Sequence, residues 1–127
     1  MILHGALSSG VGRGAEFMAI EWVRAGLQRI AGFLPYPGTV NLILAANEVA
    51  TWREVRERAA WSLVPPSPDA CGARVVRAVI APDVAAAIVV PDITAHPDHL
   101  IEVVAPVHVR SRLGVRDGDV LTLTVHG

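Results

Sequence analysis

Thr39 and Asn41 stand two positions apart in Pro35-Tyr36-Pro37-Gly38-Thr39-Val40-Asn41-Leu42. On an extended strand, side chains at i and i+2 share a face, so this spacing sets a hydroxyl beside a carboxamide. Both are hard, neutral oxygen donors. Magnesium prefers such donors, keeps several waters and completes its shell with substrate phosphates. Neutral ligands leave the ion's full charge to act on those phosphates. Pro35, Pro37 and Gly38 stiffen the approach to the pair. Taken alone, the two residues also suit an ordinary polar strand face that binds nothing.

Upstream, glycines alternate in Gly10-Val11-Gly12-Arg13-Gly14. Glycine reaches backbone angles closed to other residues, so successive N–H groups can converge on an anion. The spacing alone equally describes a simple turn. It lacks the strand–loop–helix setting and the later acidic residue of a dinucleotide fingerprint. A glycine loop together with a hydroxyl–amide pair suggests a magnesium–nucleotide site. All eleven basic residues are arginine. Without lysine, neither a Walker-type phosphate loop nor Schiff-base chemistry is available.

The segment from Pro91 to Glu102 holds Thr94, His96, His99 and Glu102. Thr94 and Glu102 suit the lining of a pocket, although Glu102 also reads as a solvated strand residue. Pro97 between the two histidines opposes a regular helical face, and no cysteine or third histidine stands nearby, so a metal is not expected there. Arg13 and Arg110 are the arginines placed to address a phosphate or a base edge, the latter in Pro106-Val107-His108-Val109-Arg110. Arg53, Arg56 and Arg58 read as solvated.

These groups need a scaffold. Apolar periodicity predicts a helix from about Ile20 to Ala31, with Gly32 as its stop. Thr51-Trp52-Arg53-Glu54 has the spacing of a capping box and predicts a second helix from Thr51 to about Ala60. Val40–Leu44, Arg74–Ile80, Ala86–Val90, Leu100–Val104 and Val120–Val125 are short and rich in β-branched residues, as strands are. Val109 to Leu113 suits a further helical turn. Asp117-Gly118 suits a turn with positive φ before the last strand. Three prolines between Leu63 and Gly72 make that stretch a loop. Many short strands with few helices point to a small closed barrel, because closure removes exposed edges.

At 127 residues, 52% of them hydrophobic, the chain suits one domain spanning 1–127. A net charge of −1 and a pI near 6.5 argue against a nucleic-acid partner. The longest apolar run, Val84 to Val90, is far below the ~20 residues that span a bilayer, and no secretion signal is read at the N-terminus. A cytoplasmic protein without a membrane partner is expected. The single cysteine, Cys71, is read as a small buried hydrophobe.

Together these segments resemble the archaeal-type CTP-dependent riboflavin kinases nearly end to end. The likeness is carried by Gly5 through Gly14 and by Gly32-Phe33-Leu34-Pro35-Tyr36-Pro37-Gly38-Thr39-Val40-Asn41-Leu42. Ala87 to Pro91 with Thr94 and His96, Ile101 to Pro106, and Arg110 with Leu113 to Asp119 extend it. The Pro-Gly-Thr-x-Asn-Leu element is specific, whereas the terminal Asp-Gly-Asp is shared with other small barrels.

The resemblance implies a mainly β fold, a six-stranded cradle-loop barrel with two or three short helices. It implies transfer of the γ-phosphoryl group of CTP to the 5′-hydroxyl of riboflavin, giving FMN and CDP, with Mg2+. By matching position, Gly10, Val11, Gly12, Arg13, Gly14 and Ala15 would form the nucleotide-phosphate loop. Thr39 and Asn41 would hold magnesium, Thr94 and Glu102 would contact the flavin, and Val107, His108, Val109 and Arg110 would contact the nucleotide. Glu102 would stand nearest the attacking hydroxyl, as base or as orienter.

Two departures stand out. The position after the third loop glycine, often basic in this family, is Ala15, followed by Glu16; Arg13 is the replacement charge at hand. The segment from Ala45 to Pro68 shows little likeness to the family. A non-catalytic nucleotide- or flavin-binding regulatory module on the same barrel is the alternative reading.

Overall fold

The computed structural model describes residues 1–9, 19–68, 70, 72–92 and 97–126. Seven strands form one antiparallel sheet: β1 (Ile2–Ser8), β2 (Val40–Leu44), β3 (Trp61–Leu63), β4 (Ala73–Ile80), β5 (Val84–Pro91), β6 (Leu100–Val104) and β7 (Val120–His126). Their order is β3-β4-β5-β6-β2-β1-β7, with a further pairing of β4 to β7. That last pairing closes six strands into a barrel. β3 lies outside the ring and pairs with the first residues of β4, while β7 pairs with the last ones. The six-stranded closed barrel matches the expected fold.

Period-two alternation explains how the barrel fills. Leu3, Leu7, Leu42, Leu44, Ile88, Ile101, Val103 and Leu123 belong to one buried cluster in its interior. The alternate residues of β4, β5 and β6, among them Val75, Ala87, Val89 and Val104, join Val23, Leu27 and Ile30 in a second cluster. Those three come from helix α1 (Glu21–Ala31), which packs on the outside of the sheet. Val84 to Val90 is continuously apolar because β5 is covered on both faces. Gly32, at φ 81°, ends α1 by donating its N–H to the carbonyl of Gln28, a left-handed cap that glycine adopts without a Cβ penalty.

β1 was not expected from the sequence. Its inward residues are Leu3, Gly5 and Leu7, and the glycine interrupts the apolar alternation. A Cβ at Gly5 would lie 2.7 Å from Cβ of Leu42, so the close approach of β1 and β2 requires glycine there.

Helix α2 (Val49–Glu57) follows a 3-10 turn at Ala46–Glu48. The expected capping box at Thr51 is not formed. The helix starts two residues earlier, its N-cap is Glu48, and no side chain caps it. Glu48 instead accepts hydrogen bonds from the backbone N–H of His4 at 2.9 Å and pairs with His4 Nδ1 at 2.8 Å, tying α2 to β1. Arg53 and Arg56, expected to be solvated, both hold Asp98: Arg53 Nη2 at 2.7 Å and Arg56 Nη1 at 2.9 Å. Helix α3 (Val109–Leu113) ends at Gly114, φ 65°, and Gly118, φ 91°, supplies the positive φ expected before β7.

Candidate active site

β2 and β6 place Asn41 directly opposite Glu102, and β1 places Ser8 opposite Asn41 from the other side. The three residues form a row across the outer face of the barrel. Glu102 faces outward between Ile101 and Val103, which point to the interior cluster. Its neighbours on the outer face, Val89 across the ladder and Val104 two residues on, belong to the cluster beneath α1. This setting leaves Glu102 only 6% exposed, the one buried charged residue among the described residues. The solvated alternative for Glu102 is thereby corrected.

Asn41 is half-buried, yet its Oδ1 is fully buried with no hydrogen-bond partner among the described residues. Such an atom costs about 1–3 kcal/mol relative to a satisfied one, and native structures keep few of them. A carboxamide oxygen in that state is a ready donor to a hard cation. Asn41, one of the two expected ligands, thus has the donor chemistry that a magnesium ion would use.

Thr39 immediately precedes β2, which begins at Val40. The strand reading thus covers Asn41 and stops one residue short of Thr39. Thr39 lines a pocket of about 140 Å³ with Val107, His108, Val109 and Arg110. The expected metal ligand and the four expected nucleotide contacts therefore share one cavity. It lies at the start of β2, about 7 Å along the strand from Asn41.

Local bonds shape this cavity. Tyr36 N–H donates to the carbonyl of Ala105 at 2.8 Å, pinning the Pro-Tyr-Pro-Gly segment to the end of β6. Gly38 has φ 99°, so the turn into Thr39 needs glycine. The Tyr36 ring sits 5.3 Å from that of His108, tilted 47°, and His108 Nδ1 meets Ser111 Oγ at 2.6 Å.

Arg110 Nη2 donates to Asp117 Oδ1 at 2.7 Å. The other oxygen, Oδ2, accepts from Ser9 Oγ at 2.6 Å. The Ser9 hydroxyl, then the Arg110 guanidinium, hold the Asp117 carboxyl below the usual carboxylate range. Sequence reasoning read Asp117 only as a turn former, because both partners are remote from it or hidden in the fold. Arg56, then Arg53, lower Asp98 in the same way, which fixes the chain leading into β6.

Gly10 to Ala15, Thr94, His96 and Cys71 lie outside the described residues. His99 is exposed, and no group of three or more His, Cys, Asp or Glu side chains able to hold a metal occurs among the described residues. Nor is any helix there long and apolar enough to cross a membrane.

The comparisons with known proteins bear on this geometry. The family model CTP-dep_RFKase, described as "Domain of unknown function DUF120", matches residues 7–125. The chain belongs to the archaeal-type CTP-dependent riboflavin kinase family. Among its relatives in the family are proteins named riboflavin kinase from Pyrobaculum islandicum, 36% identical over 98% of this chain, and from Pyrobaculum calidifontis, 38% identical over 98%. Another from Saccharolobus solfataricus is 31% identical over 98% of this chain and matched over 73% of its own length. The chain spans only 60% and 59% of the two Pyrobaculum kinases.

Proposed function

We propose that this chain transfers the γ-phosphoryl group of CTP to the 5′-hydroxyl of riboflavin, giving FMN and CDP, with Mg2+. The observation that carries the reading is the buried Oδ1 of Asn41, without a partner among the described residues, set opposite a buried carboxylate and two residues from a pocket-lining threonine. Family membership supplies the substrate classes.

Thr39 and Asn41 would hold the magnesium, which supplies charge neutralisation of the phosphates. Val107 to Arg110 bind the nucleotide in the cavity they share with Thr39, and the Arg110 guanidinium offers a fork of donors to phosphate oxygens. Gly10 to Ala15 cradle the phosphates from the sequence position that follows β1. Thr94 and Glu102 hold the flavin's ribityl chain. Glu102 accepts a hydrogen bond from the 5′-hydroxyl and orients it. A bond forms from that oxygen to the γ-phosphorus, the bond from the γ-phosphorus to the β–γ bridging oxygen breaks, and the hydroxyl proton passes to Glu102 or to solvent. Phosphoryl transfer asks chiefly for such alignment and charge stabilisation, so a chain without lysine can perform it.

Purified protein incubated with riboflavin, CTP and magnesium should yield FMN, with little product from ATP and none once the metal is chelated. Binding of CDP and riboflavin without any FMN would instead support a regulatory module.

A further inference from the structure

Asp117 joins Ser9, the residue after β1, to Arg110 of the proposed nucleotide cavity. Its Oδ2 takes the hydroxyl of Ser9, the residue before the first loop glycine, at 2.6 Å. Its Oδ1 takes Arg110 Nη2, from the wall of the nucleotide cavity, at 2.7 Å. The carboxylate stands on a fixed base. Gly118 N–H donates to the carbonyl of Leu7 at 2.8 Å, and Leu7 N–H donates to the carbonyl of Asp119 at 2.8 Å. Arg116 N–H closes the turn on Asp119 Oδ2 at 2.9 Å.

The turn is therefore bonded to the end of β1, two residues from Ser9. A short carboxylate so anchored has little freedom to follow its partners; they are placed by it. All three side chains are at or near the surface, where a purely structural bond of this kind contributes little to folding.

We propose that Asp117 is a positioning residue for the nucleotide. Braced by Ser9 on one oxygen, it fixes Arg110 with the other, so that the guanidinium meets the phosphate chain in one orientation. This rests on the kinase reading and adds to it a residue that touches neither substrate. Arg110 uses one guanidinium nitrogen on Asp117, and the geometry of the fork lets the others address an anion.

The test is calorimetric binding of magnesium–CDP and of riboflavin to wild type, Asp117→Asn, Ser9→Ala and the double variant, with melting of each apoprotein. Asp117→Asn should weaken CDP about tenfold and Ser9→Ala about threefold. The double variant should be no weaker than Asp117→Asn alone, riboflavin affinity should not move, and the melting temperatures should stay close. Equal or tighter CDP binding by Asp117→Asn overturns the positioning role and leaves the kinase reading standing. So does a parallel loss of riboflavin binding and thermal stability, which marks a structural bond only. Wild-type protein that binds no CDP overturns both.

Discussion

Asn41 and Glu102 face each other across the β2–β6 ladder, 61 positions apart in sequence and adjacent in register. One offers a buried oxygen with no donor among the described residues; the other is a buried carboxylate. Burial of a polar atom without a hydrogen bond is costly. Under the proposed kinase reading, a bound magnesium ion would supply the partner that Asn41 Oδ1 lacks among the described residues.

Glu102→Gln keeps the side chain's size and removes its charge. If the carboxylate orients or deprotonates the alcohol, kcat should fall about 100-fold while the dissociation constant of CDP changes little. Steady-state rates alongside calorimetry separate the two. Unchanged kcat would remove Glu102 from the reacting centre.

Gly5→Ala should destabilise the barrel without touching the site. The added Cβ would come within 2.7 Å of Cβ of Leu42, in a ladder that cannot widen without opening the ring. Overpacking of this kind costs about 1–3 kcal/mol, readable as a lower midpoint in urea. An unchanged midpoint would show that β1 and β2 can separate.

Asp98 carries a pH signature. Arg56 and then Arg53 lower its pKa from the ordinary 3.8. A depressed folded-state pKa means stabilisation that is present above the unfolded value and is lost as pH falls through the folded one. Wild type should therefore melt above Asp98→Asn at neutral pH, and the gap should close below about pH 4. A gap independent of pH would exclude the ion pairs as its source.

Much of this fold is legible in the sequence, and the exceptions have physical causes. β5, β6 and β7 show as β-branched runs because each carries at least one fully apolar face, and β4 shows because only a single arginine interrupts each of its faces. β1 hides because Gly5, required by the tight approach to Leu42, breaks its alternation. β3 hides because three residues carry too short a pattern. Thr51 has the residues of a capping box, but the chain reaches α2 through a 3-10 turn, and Glu48 at the cap is engaged by His4. Arg53 and Arg56 look solvated until the fold brings Asp98 to them.

The candidate site is legible in part. Thr39 and Asn41 are singled out as proposed ligands by residue type and spacing. The burial of Glu102 does not, because it depends on a helix, α1, that covers the neighbouring strands. The Ser9–Asp117–Arg110 bracket spans 108 positions and exists only once the ring closes.

The account turns on the buried oxygen of Asn41, which has no partner among the described residues, and the magnesium dependence of CDP affinity in wild type and Asn41→Ala tests it most directly. Wild type should bind CDP at least tenfold more tightly with magnesium than without. Asn41→Ala should lose that enhancement while melting no lower than wild type, since it deletes a buried acceptor that has no donor among the described residues. An enhancement that survives in Asn41→Ala, or a CDP affinity indifferent to magnesium in wild type, would contradict the account.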